Sequence, residues 1–316
     1  MDQPGADESS ERSNSVFVPP ELAGERVDHV IAQLTGLSRA RVAELISQGA
    51  ITLKGTPVKK SHKAVSGNRF VVDQRVEEVP TIEPGDIPPI TVLYSDEDII
   101  VIDKPVGVTV HPAPSWEGPD VIGWLTEEGY KLPGLGVEER PGVVHRLDVG
   151  TSGVMVVAAS DRAYSGLKRA FREREVDKVY HALVQGYPSP SSGTIDAPIG
   201  RHPSSSWKFA VVSHGRHSIT HYDTLEVFPG ATLVEVHLET GRTHQIRVHF
   251  QAERHPLVGD TLYGADPTFA AKLKLSRQWL HAVSLSFVHP GSGEQVSFTS
   301  DYPEDLTRAL ELLNPE

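Results

Sequence analysis

The sequence predicts an α+β protein in two parts: a small α/β module, then a larger domain on a mixed, largely antiparallel sheet. Three observations carry this expectation. Two short helical periodicities and two short β-rich runs fill residues 16–75. An acidic stretch with Pro80, Pro84, Pro88 and Pro89 then interrupts all periodicity, as an extended linker over 76–90 does. From residue 91 to 316, β-branched runs recur at 92–94, 99–102, 154–159, 179–184, 208–213, 219–228, 231–239, 280–288 and 294–299, with few helical stretches between them.

Composition narrows the classes. The 316 residues contain no cysteine, which excludes disulfides, thiolate metal sites and a cysteine nucleophile. No apolar run reaches the roughly 18 residues of a membrane span, and the N-terminus is polar, so a cytoplasmic protein is expected. The net charge of −12 is unevenly spread. Residues 1–20 carry −3, residues 21–75 carry +4, residues 76–100 carry −7 and the remainder −6. An anion-binding surface is therefore to be sought in the basic module.

Residues 1–15 read as a disordered acidic tail. In the module that follows, Val27, Val30, Ile31 and Leu34 recur at helical spacing. Ser38 is placed to cap a second helix, Arg39 to Gln48, which Gly49 would end. Ile51–Leu53 and Arg69–Val72 read as strands around a turn at Gly55. Arg39, Arg41, Lys54, Lys59, Lys60, Lys63 and Arg69 suit phosphate contact; a solvated charged face is the alternative.

The larger domain has two dense polar knots. In the first, Val143-Val144 leads into His145-Arg146-Leu147-Asp148, and Gly150-Thr151-Ser152-Gly153 breaks the chain before Val154–Ala159. Strand, polar loop, strand is the expected local form, with Asp148 on a loop held between two strands. An Asx-type turn with the following Thr and Ser is the equal alternative for Asp148. Further on, Ser160 or Asp161 caps a helix to about Arg174, Tyr180 sits on a strand, and 186–206 reads as loops. The second knot, Gly241-Arg242-Thr243-His244-Gln245-Ile246-Arg247-Val248-His249, follows a strand, with Thr243 as cap of a helix. His244 and Arg247 share a face of it. As a metal site it is weak, because His244 and His249 stand five apart without an accompanying carboxylate, and His111 reads as a loop histidine. A last helix, from Pro303 to Leu313, is expected to be capped by Asp301.

These pieces resemble known families. Gly24–Asp28, Leu37–Val42 and Ile46–Ile51 resemble the S4 RNA-binding domain along residues 16–75, although Gly67-Asn68 stands where that module has Gly-Asp. His145–Asp148 with Thr151–Gly153, Lys178–Tyr180, Gly241–Arg247 and His255–Asp260, in this order, resemble the RluA-type pseudouridine synthases. The S4-like module narrows the likeness to the large-subunit ribosomal RNA, D-like branch, over roughly residues 17–300. Val149-Gly150 departs from the pattern, which has Lys or Arg after the Asp. The resemblance implies an enzyme that isomerises uridine to pseudouridine in RNA without cofactor or metal. It implies that Asp148 is the catalytic carboxylate, that Arg247 is its cationic partner, and that Tyr180 packs against the uracil. Arg146 would fill the gap left by a flipped base, His145 and Thr151 would support the loop, and Arg242 would meet RNA. Ribosomal RNA or a precursor particle is the expected partner, with no membrane, for a monomeric protein. A non-catalytic RNA-binding or ribosome-assembly protein on the same fold is the alternative. An aspartate-nucleophile phosphatase needs a second acid two residues from the first, which Asp148 lacks.

Overall fold

The computed structural model describes residues 13–37, 39–47, 50–59, 61–73, 89–111, 116, 118–133, 140–203 and 205–314. The chain divides into two compact units, Met1–Pro80 with Arg201–Phe209, and Thr81–Gly200 with Ala210–Glu316.

The first unit contains β1 (Ser13–Phe17), α1 (Val27–Thr35), α2 (Arg39–Ser47), β2 (Ile51–Leu53), β3 (Thr56–Pro57) and β4 (Arg69–Asp73). Its antiparallel sheet runs β1-β4-β2-β3. Val27, Val30 and Ile31 line one face of α1 and are fully buried in one core with Val42 and Leu45 of α2 and Phe70 and Val72 of β4. Gly36 ends α1 in the left-handed region at φ +74°, its N–H returning to the Ala32 carbonyl. One expectation fails here. Residues 13–15, read as part of the tail, pair with β4 (Ser13 opposite Asp73), because ladder hydrogen bonds come from backbone that polar side chains possess equally. The expected cap Ser38, the terminator Gly49, residues 1–12 and most of the linker, 74–88, lie outside the described residues.

The second unit opens with β5 (Thr91–Ser95), β6 (Ile99–Lys104), α3 (Val121–Glu127), β7 (Ser152–Ala158), α4 (Asp161–Glu173) and β8 (Asp177–Gln185). β9 (Ser192–Asp196), β10 (Ile199–His202), β11 (Ser205–Val211), β12 (Ile219–Phe228), β13 (Ala231–Leu238) and α5 (Gln245–Ala252) follow in the chain. It closes with α6 (Pro267–Lys272), β14 (Leu280–Val288), β15 (Gln295–Thr299) and α7 (Glu304–Leu313). β10 and β11 form a separate hairpin, part of which groups with the first unit. The other strands form one sheet, β5-β6-β7-β14-β8-β13-β12-β9, with β15 beside β14. Every pairing is antiparallel except β7 with β14, so the expected mixed, largely antiparallel sheet is the observed one.

β7 is buried along all seven residues. Met155 and Val157 enter one core with Tyr180, Ala182 and Val236, while Val154, Val156 and Ala158 enter another with Leu167 of α4. Burial on both faces explains why this run lacks polar alternation. Local differences from expectation have local causes. The Val143-Val144 limb is no strand but a single bridge, Val143 to Val157. β9 and β10 lie in the stretch read as loops, since Ser and Gly carry no periodic signal although their backbone pairs, β9 with β12 and β10 with β11. α3 and α6 are too short to show periodicity, yet Asp120 and Asp266 cap them. α7 begins at Glu304 behind Pro303, not under an Asp301 cap.

The parallel joint between β7 and β14 is where Ser152 faces His281. His281 is fully buried; its Nδ1 meets Ser152 Oγ at 2.9 Å and its Nε2 meets the Ser300 carbonyl at 3.2 Å. The tautomer satisfying both partners puts the proton on Nε2, leaving Nδ1 to accept from the serine. Burial pushes the imidazole down to about 4, from an ordinary 6.5. The unfolded chain therefore binds a proton below pH 6.5 that the folded protein refuses, and stability is lost as pH falls from 6.5 towards 4. From pH 7 to pH 5 His281 accounts for a loss of about 2 kcal/mol. Urea unfolding at the two pH values should show the pH-dependent loss reduced by that amount in His281→Asn. An unchanged loss contradicts the assignment.

Candidate active site

Asp148 lies on the loop between the Val143 bridge and β7, and each neighbour pins it differently. Leu147 is buried in the core. His145 turns inward: the Val156 N–H donates to its Nε2 at 3.0 Å, and the ring stacks on Phe171 at 4.6 Å. Burial, with Lys178 nearby, pushes His145 down to about 3, so at neutral pH it accepts that bond uncharged. The Gly107 N–H donates to the Val149 carbonyl at 2.9 Å, and Arg277 Nη1 donates to the Gly150 carbonyl at 3.2 Å. A side chain at Gly150 would meet Gln278 at 2.7 Å. The Thr151 N–H closes the turn onto the Asp148 main-chain carbonyl at 3.0 Å. The Asp148 carboxylate is thereby left for the cleft, and it accepts from Arg247. The departure at Val149 gains a meaning: its backbone, rather than its side chain, ties the loop to Gly107.

Arg247 reaches Asp148 from α5. The N-cap of that helix is His244, in the left-handed region at φ +57°, and not the expected Thr243. Gln245 fixes the helix start: its amide donates to the Ile219 carbonyl (2.9 Å) and Thr220 Oγ1 (3.0 Å), while its carbonyl accepts from Thr240 Oγ1 (2.7 Å) and the Arg242 N–H (3.0 Å). His249 points elsewhere, fully buried between Thr220 and the Ala197 carbonyl. Arg247 sends Nη1 to Asp148 Oδ2 at 3.4 Å, and His244 Nε2 lies 3.7 Å from the same oxygen. The contact between Arg247 and Asp148, its expected partner, is single. The guanidinium fork goes to Asp260, with Nε to Oδ2 at 2.6 Å and Nη2 to Oδ1 at 2.9 Å. Tyr263 completes the group, its ring 4.9 Å from the guanidinium carbon and its hydroxyl 2.8 Å from His244 Nδ1.

The electrostatics are decided by competition. Burial opposes ionisation of Asp148, but His244, Arg247 and Arg146 outweigh it and hold the carboxyl below its ordinary value. Burial lowers His244 itself, so at pH 7 its imidazole is neutral and the permanent charges of Arg247 and Arg146 dominate. Tyr180, on β8, is pushed up by burial and then by Asp148, so its hydroxyl stays protonated at neutral pH. Lys104, fully buried at the end of β6, is pushed down to about 7 by burial and Arg277, and donates to the Pro105 and Val108 carbonyls.

A cleft of about 670 Å³ opens over Asp148, lined entirely by the second unit. Asp148, Tyr180, Arg247, Arg146, His145, Thr151 and Arg242 all line it. Arg146 is exposed and Thr151 is buried, while Arg242 donates to the His217 carbonyl at 3.3 Å. Arg140, Lys168, Arg172, Arg174 and Lys178 join them, so eight Lys and Arg side chains face two carboxylates, Asp148 and Glu239. Among the basic residues expected in the first unit, Arg39, Lys54 and Lys59 are exposed, and Arg39 stands 3.6 Å from Asp28. The side chain of Arg41 and the whole of Lys60 lie outside the described residues. Sequence reading assigned no role to Asp260, Tyr263, Lys104 or the basic residues of α4. The helical spacing of Lys168 and Arg172 was the available signal for the last of these.

Comparison with known proteins agrees with this geometry. Residues 98–252 match the family model described as RNA pseudouridylate synthase. An RNA pseudouridine synthase of Mycobacterium tuberculosis, named as uncharacterized, is 58% identical over 96% of this chain and 98% of its own. The ribosomal large subunit pseudouridine synthase D of Xanthomonas campestris is 41% identical over 98% of this chain and 97% of its own. Among solved structures, human RNA pseudouridylate synthase domain containing 4 superposes with a TM-score of 0.55 at 25% identity, covering 71% of this chain and 92% of that one. The chain belongs to the RNA pseudouridine synthase family, the isomerases that convert uridine to pseudouridine in RNA.

Proposed function

We propose that the protein isomerises specific uridines of large-subunit ribosomal RNA, free or in a precursor particle, with Asp148 as the attacking carboxylate. The observation that carries this reading is an Asp148 carboxylate held anionic at the floor of a cationic cleft, with Tyr180 in the wall. Asp148 bonds to C1′ as the bond from C1′ to N1 breaks, its electron pair leaving with the uracil; the base turns, C5 bonds to C1′ as the bond to Asp148 breaks, and N1 gains a proton as C5 loses one. Nothing is oxidised or hydrolysed, so the step calls for no cofactor. A nucleophilic carboxylate has to be ionised yet sheltered from water, the state in which Arg247 and Arg146 keep Asp148. Tyr180 packs on the uracil as a neutral phenol. The target base leaves its stack to reach the cleft floor, and the exposed Arg146 takes its place in the RNA. Phosphates on either side meet the basic rim formed by Lys168, Arg172, Arg174 and Arg242. His145 and Thr151 hold the loop.

The choice of ribosomal RNA rests on the relatives named ribosomal large subunit pseudouridine synthase D and on the S4-like wording of residues 16–75. The first unit is accordingly proposed as an S4 RNA-binding module, joined by the acidic 76–90 linker to the catalytic domain at 91–316. The protein is proposed to act as a cytoplasmic monomer. Among the described residues no helix is long and apolar enough to cross a membrane.

Three outcomes test the proposal. Asp148→Asn should melt like the wild type yet lose on the order of 10⁴-fold or more of the rate at which pseudouridine accumulates in ribosomal RNA, read by nucleoside mass spectrometry. The wild-type kcat/KM should hold level on the acid side to below the ordinary carboxylate pKa of about 4. Substantial turnover by the variant removes Asp148 from the chemistry. Replacing Lys54 and Lys59 with Gln should lower the dependence of RNA affinity on salt by about one unit of slope per lost phosphate contact, with kcat on saturating RNA unchanged. An unaltered slope speaks against RNA contact by the first unit.

A further inference from the structure

The guanidinium of Arg247 spends its better edge on a residue outside the proposed chemistry. Its Nε and Nη2 fork lies on Asp260 at 2.6 and 2.9 Å, and only Nη1 is left for Asp148, at 3.4 Å. Asp260 is 2% exposed and Arg247 is 6% exposed, so this is a buried ion pair with both carboxylate oxygens engaged. A rigid frame holds Asp260 there. Gly259 has φ +84°, and a Cβ on it would stand 1.9 Å from the Arg277 carbonyl oxygen, so only glycine fits. The Asp260 carbonyl accepts from the Tyr263 N–H (3.1 Å) and the Ala265 N–H (3.0 Å), and its own N–H donates to Leu257 (3.0 Å). The Val258 N–H ties the segment to the Leu183 carbonyl of β8, the strand that carries Tyr180. Arg277, pressed against Gly259, also holds the Gly150 carbonyl of the Asp148 loop.

This division of one cation between two acids has a chemical consequence. A carboxylate gripped by a full guanidinium fork has both oxygens occupied and its charge most strongly neutralised, which makes it a poor nucleophile. A carboxylate with one long N–H contact keeps its charge and a free oxygen. We infer that Asp260 is a positioning residue for the isomerisation: by occupying the Nε/Nη2 edge of Arg247 it keeps that fork off Asp148 and leaves an Asp148 oxygen open for attack at C1′. Asp260 acts through Arg247 and does not touch the RNA. The inference rests on the reading of Asp148 given under Proposed function. The other titratable groups around Asp148 are Arg146, Tyr180, His244 and Lys104; of these His244 feels the Asp260 charge, which favours its imidazolium, and burial keeps it neutral at pH 7 with or without that charge.

Asp260→Asn removes the charge with little change of shape. With the guanidinium freed to close on Asp148, kcat on ribosomal RNA should fall on the order of 100-fold. KM should stay within about threefold, because no RNA contact is lost. The acid limb of the pH–rate profile should move to lower pH, since Asp148 then faces an unshared cation. A role confined to anchoring Arg247 gives the opposite: the cation drifts away and the limb moves to higher pH. That shift, or an undiminished kcat, overturns the inference. Should Asp260→Asn fail to melt cooperatively, Asp260→Glu retains the charge and decides the same point. It should lose at most about tenfold in kcat with the limb in place, and a limb moved to higher pH contradicts the inference. Asp148→Asn run alongside separates the two claims. If it is active, the nucleophile reading falls; if it is inactive while Asp260→Asn behaves as wild type, only the role of Asp260 falls.

Discussion

One buried guanidinium organises the site. Arg247 lies between Asp260, which takes its fork, and Asp148, which takes a single long contact. Burying a carboxylate disfavours its charge, and burying a second beside it is worse. A permanent cation shared between them offsets that cost. Arg suits this task because its planar group offers a two-pronged edge and a separate N–H on one rigid frame, and because it keeps its proton in a buried position. On the proposed reading, the nearly neutralised pair at Arg247 and Asp260 leaves Asp148 as the reactive member of the group.

The fold serves that arrangement from distant parts of the chain. Asp148 hangs from the start of β7, Arg247 from α5, Asp260 from the loop docked on β8, and Arg277 from the approach to β14. The Asp148 loop and the Arg277 segment enter the sheet side by side at its one parallel joint, where β7 lies against β14. The close approach there is made possible by Gly153, at φ +116°, whose added Cβ would strike the Ala282 carbonyl at 2.2 Å. Ties to the loop's own main chain then fix much of it: the Gly107 N–H to the Val149 carbonyl, the Thr151 N–H to the Asp148 carbonyl, and the Arg277 guanidinium to the Gly150 carbonyl. A loop held by its main chain leaves its alternate side chains free to divide between core and cleft, as Leu147 and Asp148 do.

How far the sequence revealed this depends on the range of the interaction. Strand runs and the larger helices were legible because their patterns are local, as in Val154–Ala159 and in the helix carrying Leu167. The pairing of β1 was not, because it is made by backbone. The Asp148 loop was recognisable as a polar knot, with an Asx-type turn left open as an equal alternative; the structure closes the turn through the main chain. Asp148, Tyr180 and Arg247 were singled out together and line one cleft. Arg247 was named as partner of Asp148 and does reach it, but its second acid, Asp260, went unread because it is set by a loop packing on β8. No local pattern encodes that. Net charge misled most: a chain at −12 encloses a cleft with eight basic side chains, and only the fold brings them to one rim.

The account stands on Asp148 being anionic beside a cation that it shares. Carboxyl ¹³C resonances of aspartate-labelled full-length protein, titrated by NMR and assigned by comparison with Asp148→Asn, measure this directly. The account predicts that the Asp148 resonance titrates below the ordinary aspartate pKa of about 3.9 and moves upward in Arg247→Ala. A resonance titrating at or above the ordinary value in the wild type, or one indifferent to the loss of Arg247, would contradict it.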